Sequence, residues 1–353
     1  MELENIFKNT DKNIQLTEDE IIYLLLTKDK DLKSLYNKAD NIRRQYMGDE
    51  IFLRGIIEFS NFCKKDCYYC GIQQSNKNVR RYRMADEEII QTCKQIEKFG
   101  QTTVVLQSGE DFFYTKEKLG ALIENIKKET SLAITISVGE RDRETYLYWQ
   151  RKGMDRYLIR FETSNRKLFK QCHPDDDLDT RIMCIEILKS IGIQTGSGFL
   201  IGLPNEEMSD LAKDILFCSN LDLDMIGVGP FIPHNKTPFS KTLNPFKNEI
   251  YLKTIAILRL LNKDAHIPAT TAYDAVNPEG RNLLLQMGCN VFMPNSTPQE
   301  YRKDYLLYPK KPCVDESVAD CSLCVEGRVK SLGRTIGKGP GHSIHKKRSN
   351  ASC

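Results

Sequence analysis

IFLRGIIEFSNFCKKDCYYC, residues 51–70, decides how the rest of the chain is read. Its first part, 51–59, is rich in β-branched and aromatic residues and predicts a strand. Its second part carries Cys63, Cys67 and Cys70 at C-x3-C-x2-C spacing. So compact a loop lets three thiolates face one small object. Iron–sulfur clusters are held by cysteine runs of this kind, usually with four ligands. Three ligands on a four-iron cluster leave one iron open, and an open metal position is where a substrate can be bound and activated. A zinc site and inert buried thiols are the competing readings. Structural zinc takes four protein ligands in paired spacings, and no histidine precedes His173.

Outward from that stretch, strand and helix patterns alternate. Further strands are predicted at 103–107, 132–138, 156–162, 194–201, 225–228, 267–271 and 291–293. Helices are predicted between them at 85–99, 116–128, 144–152, 178–191, 208–220, 249–261 and 279–287. Alternation of this kind means parallel strands with right-handed crossovers, and eight such units predict a closed α/β barrel of the (βα)8 type. A doubly wound open sheet is the alternative. In a barrel, functional residues gather where strands end. The cysteine loop, Ser108-Gly109-Glu110, Arg160 and Glu162, Thr270 and Thr271, and Pro294-Asn295 all fall there. Residues 1–48 read as helices covering the bottom of the barrel, with Thr17 and Glu20 placed as a capping box. The barrel is expected over 49–300. A C-terminal extension, 301–353, carries Cys313, Cys321 and Cys324 and ends in a Lys/Gly/Ser-rich tail, read as disordered from Gly337.

Composition narrows the class. The 51 basic residues nearly balance the 48 acidic ones, which argues against nucleic acid as a partner. No apolar run approaches the ~18 residues of a membrane span. Twelve cysteines without a secretion signal read as a reducing, cytoplasmic protein using thiolates for metal. Cys93, Cys172, Cys184, Cys218 and Cys289 stand alone and read as packing thiols, and Arg54 and Lys64 as solvated or structural. A metal-dependent hydrolase barrel would need His and Asp ligands at strand ends, where only His234 and His266 are near. A non-catalytic iron–sulfur scaffold leaves the polar strand ends unexplained.

The cysteine spacing, with Tyr69 before the third cysteine, matches the hallmark of the radical S-adenosylmethionine (SAM) enzymes. In that light Ser108, Gly109 and Glu110 offer carbonyls and a carboxylate to an ammonium group, and Ser137 a donor to a carboxylate or ribose. Arg160 and Glu162 lie two residues apart on one strand, hence on one face. Glu162 can accept from a ribose hydroxyl, and Arg160 or Arg181 can bind a carboxylate; for each, a structural ion pair is the plainer alternative. The apolar groups of 227–234 suit an adenine edge.

From about residue 35 to 335 the chain resembles the HydE family, radical-SAM maturases of FeFe-hydrogenase, related to methylornithine synthase and biotin synthase. The resemblance rests on the cysteine loop, on residues 107–111, 160–163, 227–234, 267–272 and 293–295, and on Cys313, Cys321 and Cys324. It implies a complete TIM-type barrel with N- and C-terminal extensions and a 4Fe–4S cluster on Cys63, Cys67 and Cys70. A second cluster, of 2Fe–2S or 4Fe–4S type, is implied at the C-terminal cysteines. It implies SAM bound by Ser137, Glu162 and Arg181, with Gln107, Met225, Thr270, Thr271 and Tyr305 lining the cavity near SAM or substrate. The implied substrate is a small organometallic iron complex carrying carbonyl, cyanide and cysteine. The implied partners are the sister maturases HydG and HydF and a reductant such as ferredoxin or flavodoxin. Phe161 departs from the pattern, standing where some relatives carry histidine.

Overall fold

The computed structural model describes residues 2–316 and 318–344, with 318–323 described in backbone alone. Three helices lead: α1 (Leu3–Asp11), α2 (Glu18–Leu26) and α3 (Asp29–Met47). There follow β1 (Glu50–Leu53), β2 (Gly55–Ser60), α4 (Asp86–Lys98), β3 (Thr103–Ser108), α5 (Lys116–Glu129) and β4 (Ala133–Ser137). Next come α6 (Arg143–Arg151), β5 (Arg156–Leu158), α7 (Arg166–Cys172), α8 (Leu178–Ser190), β6 (Gln194–Ser197), β7 (Leu200–Ile201) and α9 (Met208–Asn220). The series continues with β8 (Met225–Ile226), β9 (Gly229–Pro230), α10 (Asn248–Leu261), β10 (Pro268–Ala269), α11 (Thr271–Asp274), α12 (Gly280–Gln286) and β11 (Val291–Phe292). It ends with α13 (Gln299–Arg302), α14 (Val318–Ser331) and β12 (Thr335–Ile336).

The strands form a ring. β2, β3, β4, β5, β6 and β8 pair in parallel in that order, while β1, which leads into β2, pairs with β11, and β11 with β10. The last gap is bridged where Met225 faces His266 and Ile226 N–H donates to His266 O at 2.9 Å. With β1 and β2 taken as one staggered strand, the ring has the eight positions expected from the alternation. β7 and β9 prolong β6 and β8 at the C-terminal end, where the chain kinks through Gly198. A Cβ on Gly198 would overlap the Gly227 carbonyl.

The helices form the outer layer because each turns an apolar stripe inward, such as Ile89, Cys93 and Ile96 of α4. Trp149 of α6 is fully buried; it stacks near Tyr157, and its Nε1 donates to Lys116 O at 2.9 Å. The lone cysteines 93, 172, 184, 218 and 289 are buried as packing residues. The Thr17/Glu20 capping box forms as read from sequence. Among the described residues no helix is long and apolar enough to cross a membrane.

One expectation is corrected. α2 and α3 pack against α9 and α10. The bottom of the barrel is filled by part of the segment read as a disordered tail, of which 345–353 lies outside the described residues. Arg156 donates to Pro340 O at 2.6 Å and lies 3.1 Å from His342 Nδ1. Thr102 reaches Gly339 O, Gln194 reaches His342 Nδ1, and Ser343 N–H reaches Gln194 Oε1. These partners sit at the starts of β3, β5 and β6. The segment is ordered because it satisfies buried strand-end groups that the ring cannot pair for itself. A chain ending at Lys338 therefore melts several degrees below one ending at Ile344 in calorimetry, since each orphaned buried group costs about 1–3 kcal/mol. Equal melting temperatures would contradict the packing role.

Near the other end burial raises two carboxyls. Asp214 accepts from Ser164 N–H and Oγ at 2.5 Å, and Glu206 from Gly202 and Leu203 N–H at 2.5 and 2.8 Å. Burial pushes Asp214 up to about 7 and Glu206 up to about 8. Folded values above the unfolded ones stabilise the protonated forms. That stability is full below about pH 4 and is lost as pH rises through 7 and 8. The melting temperature falls between pH 5.5 and 8.5, and Glu206→Gln flattens the slope; an unchanged slope in the variant contradicts this assignment.

Candidate active site

The cysteine loop follows β2 and has no regular structure, so its backbone groups are satisfied from elsewhere. Lys64 N–H donates to Glu110 O at 3.1 Å, Tyr68 N–H to Cys172 O at 2.9 Å, and Gly71 N–H to Leu307 O at 2.9 Å. His234 N–H donates to Tyr69 O at 2.9 Å, which seats the 229–234 turn against the loop. Arg81 gathers four carbonyls, those of Asn61, Ile72, Gln73 and Asn76, at 2.5–3.2 Å. Lys65 turns inward to Asp176 at 2.8 Å and Glu140 at 3.2 Å. Arg181 joins the same two carboxylates, at 2.8 Å to Glu140 and in contact with Asp176. Flanked by the two cations, Asp176 is held down at about 2 although burial opposes it.

Cys63, Cys67 and Cys70 open onto one cavity of about 370 Å3 at the C-terminal end of the ring. That volume is within the roughly 300–1,000 Å3 usual for small-molecule sites. Burial raises all three thiols, Cys70 to about 12; Cys63 also raises Cys67 and Cys70, and Cys70 raises Cys67. The chain alone does not make them thiolates; a bound metal would. Glu110 N–H donates to Cys63 Sγ at 3.3 Å, a bond that favours the thiolate. Among the described residues no group of three or more His, Cys, Asp or Glu side chains stands ready to hold a metal ion.

Gln107, Ser108, Gly109, Glu110, Ser137, Arg160, Glu162, Arg181, Met225, Thr270 and Tyr305 all line this cavity with the cysteines. Gln107 Nε2 donates to Tyr305 Oη at 3.3 Å, and Thr270 Oγ1 lies 2.7 Å from Tyr251 Oη. Gly109 is required: a Cβ would overlap Phe62 O. The Glu110 carboxylate pairs with Lys64 at 3.1 Å and lies where a Cβ on Gly139 would sit. Arg160 pairs with Glu162 at 3.2 Å, although β5 ends at Leu158, short of the predicted 156–162, so strand alternation does not place them. Glu162 takes a left-handed backbone, φ 67°, and its Oε2 is buried without a hydrogen-bond partner. Strain and an unfilled acceptor on one residue mark a ligand position.

Three expectations change. Thr271 begins α11 and is not in the lining. Arg181 donates to Glu140, Asp176 and Arg160 O, so it holds the cysteine loop and the strand end as well as facing the cavity. Arg54, read as solvated or structural, faces the cavity, with Nη1 2.7 Å from Met225 Sδ. Lys65, His173 and Tyr69 also line it and were not singled out as site residues. His173 is buried, stacks on Phe169, and is held neutral by burial, at about 3. The acidic run 175–177 opposite Lys64-Lys65 was the available signal for the ion network. The second cysteine set is described only in part. Cys324 is exposed, Arg281 Nη2 lies 3.8 Å from Cys313 Sγ, and the Cys321 side chain is outside the described residues.

Comparison with known proteins agrees with this geometry. The family model of the Radical SAM superfamily matches residues 57–218. The chain is 45% identical over 308 residues to the [FeFe] hydrogenase maturase subunit HydE of Thermotoga maritima, covering 87% of each. It is 31% identical over 283 residues to 3-methylornithine synthase of Methanosarcina acetivorans, covering 79% of each. The solved structure of methylornithine synthase (PylB) superposes with a TM-score of 0.83 at 27% identity, over 98% of this chain and 99% of that one. A barrel whose three-cysteine loop opens onto a polar-edged cavity, with these similarities along most of its length, makes this chain a radical SAM enzyme of the branch that includes HydE.

Proposed function

We propose that the chain cleaves SAM at a 4Fe–4S cluster held by Cys63, Cys67 and Cys70 and acts on a small iron complex carrying carbonyl, cyanide and cysteine, in assembly of the FeFe-hydrogenase dinuclear cofactor. The observation that carries this reading is the meeting of three thiols and the unfilled acceptor Glu162 Oε2 on one cavity. The identity to Thermotoga maritima HydE, a [FeFe] hydrogenase maturase subunit, supports the assignment to hydrogenase maturation. When bound, the cluster supplies the electron that breaks a carbon–sulfur bond of SAM.

The chain's own residues bind, orient and exclude water. Gly109 O and the Glu110 carboxylate accept from the SAM ammonium. Arg160 and Ser137 donate to its carboxylate or ribose, and Glu162 Oε2 accepts from a ribose hydroxyl. Gln107 and Met225 flank SAM. Leu158, Ile159, Leu200 and Ile232 make the wall apolar and keep water and stray hydrogen donors out. Thr270 and Tyr305 face the substrate, and Thr271 lies behind Thr270. Cys313, Cys321 and Cys324 hold an auxiliary cluster of 2Fe–2S or 4Fe–4S type. HydG and HydF are the partners on either side of the reaction, with ferredoxin or flavodoxin as reductant and the cytoplasm as the compartment.

Anaerobic reconstitution with iron and sulfide, reduction and addition of SAM yields 5′-deoxyadenosine and methionine with the wild type and neither with Cys63→Ala. A loaded wild type that never cleaves SAM, with the iron complex present, returns the chain to the scaffold reading. Glu162→Gln keeps the cluster spectrum but raises the SAM Kd roughly ten-fold or more by calorimetry, the effect of losing a bond to a charged acceptor. Asp176→Asn leaves Lys65 and Arg181 short of a partner and lowers stability by about 3–5 kcal/mol in denaturant titration. A loss below 1 kcal/mol contradicts the clamp described for the cysteine loop.

A further inference from the structure

Beside the cysteine loop, the segment joining β3 to α5 presents two adjacent phenylalanines to solvent. Phe112 is 53% exposed and Phe113 47%. Large exposed apolar groups set side by side mark a surface meant to be covered. Cations ring them. Lys64 Nζ lies 4.1 Å from the centroid of Phe112 and the Arg141 guanidinium 4.7 Å; Arg83 and Lys118 lie 4.5 and 4.6 Å from that of Phe113. Arg83 also lies 3.7 Å from the centroid of Phe62.

The acids of this region do not offset that charge at the surface. Glu110 and Asp111 are buried under Lys64 and Arg83. Exposed Glu117 and Glu144 are paired with Lys116 at 3.7 and 2.5 Å. Arg141 donates to the carbonyls of Glu140 and Asp111 rather than to a carboxylate. Residues 71–84 contain no Asp or Glu and add Lys77, Arg81 and Arg83, while Arg80 is paired with Asp304 at 2.5 Å. The patch is also joined to the cysteine loop: Phe62 and Lys64 flank Cys63, and Glu110 N–H donates to Cys63 Sγ at 3.3 Å. Its aromatic surface and the first cluster ligand are separated by one hydrogen bond and a short stretch of backbone.

We propose that this surface docks an acidic, low-potential redox protein, which passes one electron to the cluster at Cys63. The proposal rests on the radical SAM reading above. In the step the carrier is oxidised by one electron and the cluster reduced by one. A positive field steers an acidic partner to the patch, and the two rings supply the apolar centre that a transient interface needs.

The test follows cluster reduction in the reconstituted holoenzyme by stopped flow, with a reduced acidic ferredoxin as the probe and titanium(III) citrate as a small reductant. The variants are Phe112→Ser with Phe113→Ser, and Lys118→Glu; Lys30→Glu on α3 is the charge-matched control. Reduction by ferredoxin slows roughly ten-fold or more in the patch variants, and the wild-type rate falls with salt. Reduction by titanium(III) stays at the wild-type rate, and Lys30→Glu behaves as wild type. The proposal is overturned if ferredoxin reduces the patch variants as fast as the wild type. It is equally overturned if Lys30→Glu slows as much, or if titanium(III) reduces the wild type and ferredoxin does not. A titanium-reduced enzyme that fails to cleave SAM counts against the proposed function, while the reduction rates still decide the docking surface.

Discussion

A loop without helix or sheet must have its backbone polar groups satisfied by side chains or by other segments, and the cysteine loop is such a loop. Arg81 binds four of the surrounding carbonyls, and residues from β3, α7, the 229–234 turn and the C-terminal extension supply further bonds. Three sulfurs point to one cavity because the rest of the barrel fixes the loop in that form. The requirement explains why the C-terminal extension returns to the top of the ring. Gly71, bonded to Leu307 O, lies so close to Leu306 O that no side chain fits there.

The ion network beneath the loop solves a second problem. Lys65 is carried inward by its place between two cysteines, and a buried ammonium needs anionic partners. Glu140 and Asp176 provide them, and Arg181 balances the pair, so two cations face two anions. The same guanidinium donates to Arg160 O, at the strand end that carries Glu162. Loop position and the strand end that carries Glu162 are thus coupled through one side chain. Thiols raised by burial stand against this fixed frame, and the positive charge of a bound metal would favour their ionisation.

The two ends of the barrel divide the labour. At the bottom, Gly339 to Ser343 complete the hydrogen bonds of buried strand starts. At the top, apolar wall, polar strand ends and thiols share a cavity, as expected of parallel barrels. Phe112 and Phe113 break the polar rim of that face, and cations gather round them.

The sequence by itself determined the barrel, because eight short strand-forming runs alternating with helical stripes have few ways to bury their apolar faces. It also determined the three thiols, because C-x3-C-x2-C confines them to one loop whatever surrounds it, whereas Arg160 and Glu162 meet beyond the end of β5, where no strand repeat places them. Only tertiary structure decided which charges serve the loop and which face the cavity. Lys65, Glu140 and the neighbouring Asp176 and Arg181 come from three distant stretches of the chain and meet only when β4, α8 and the cysteine loop close together. The ordering of Gly337–Ser343 was hidden for the same reason. Its Gly, Pro and Lys composition resembles a disordered tail, and its partners are strand starts more than a hundred residues away in sequence. Thr271 looked equivalent to Thr270 in sequence, but the start of α11 at that point keeps it out of the cavity lining.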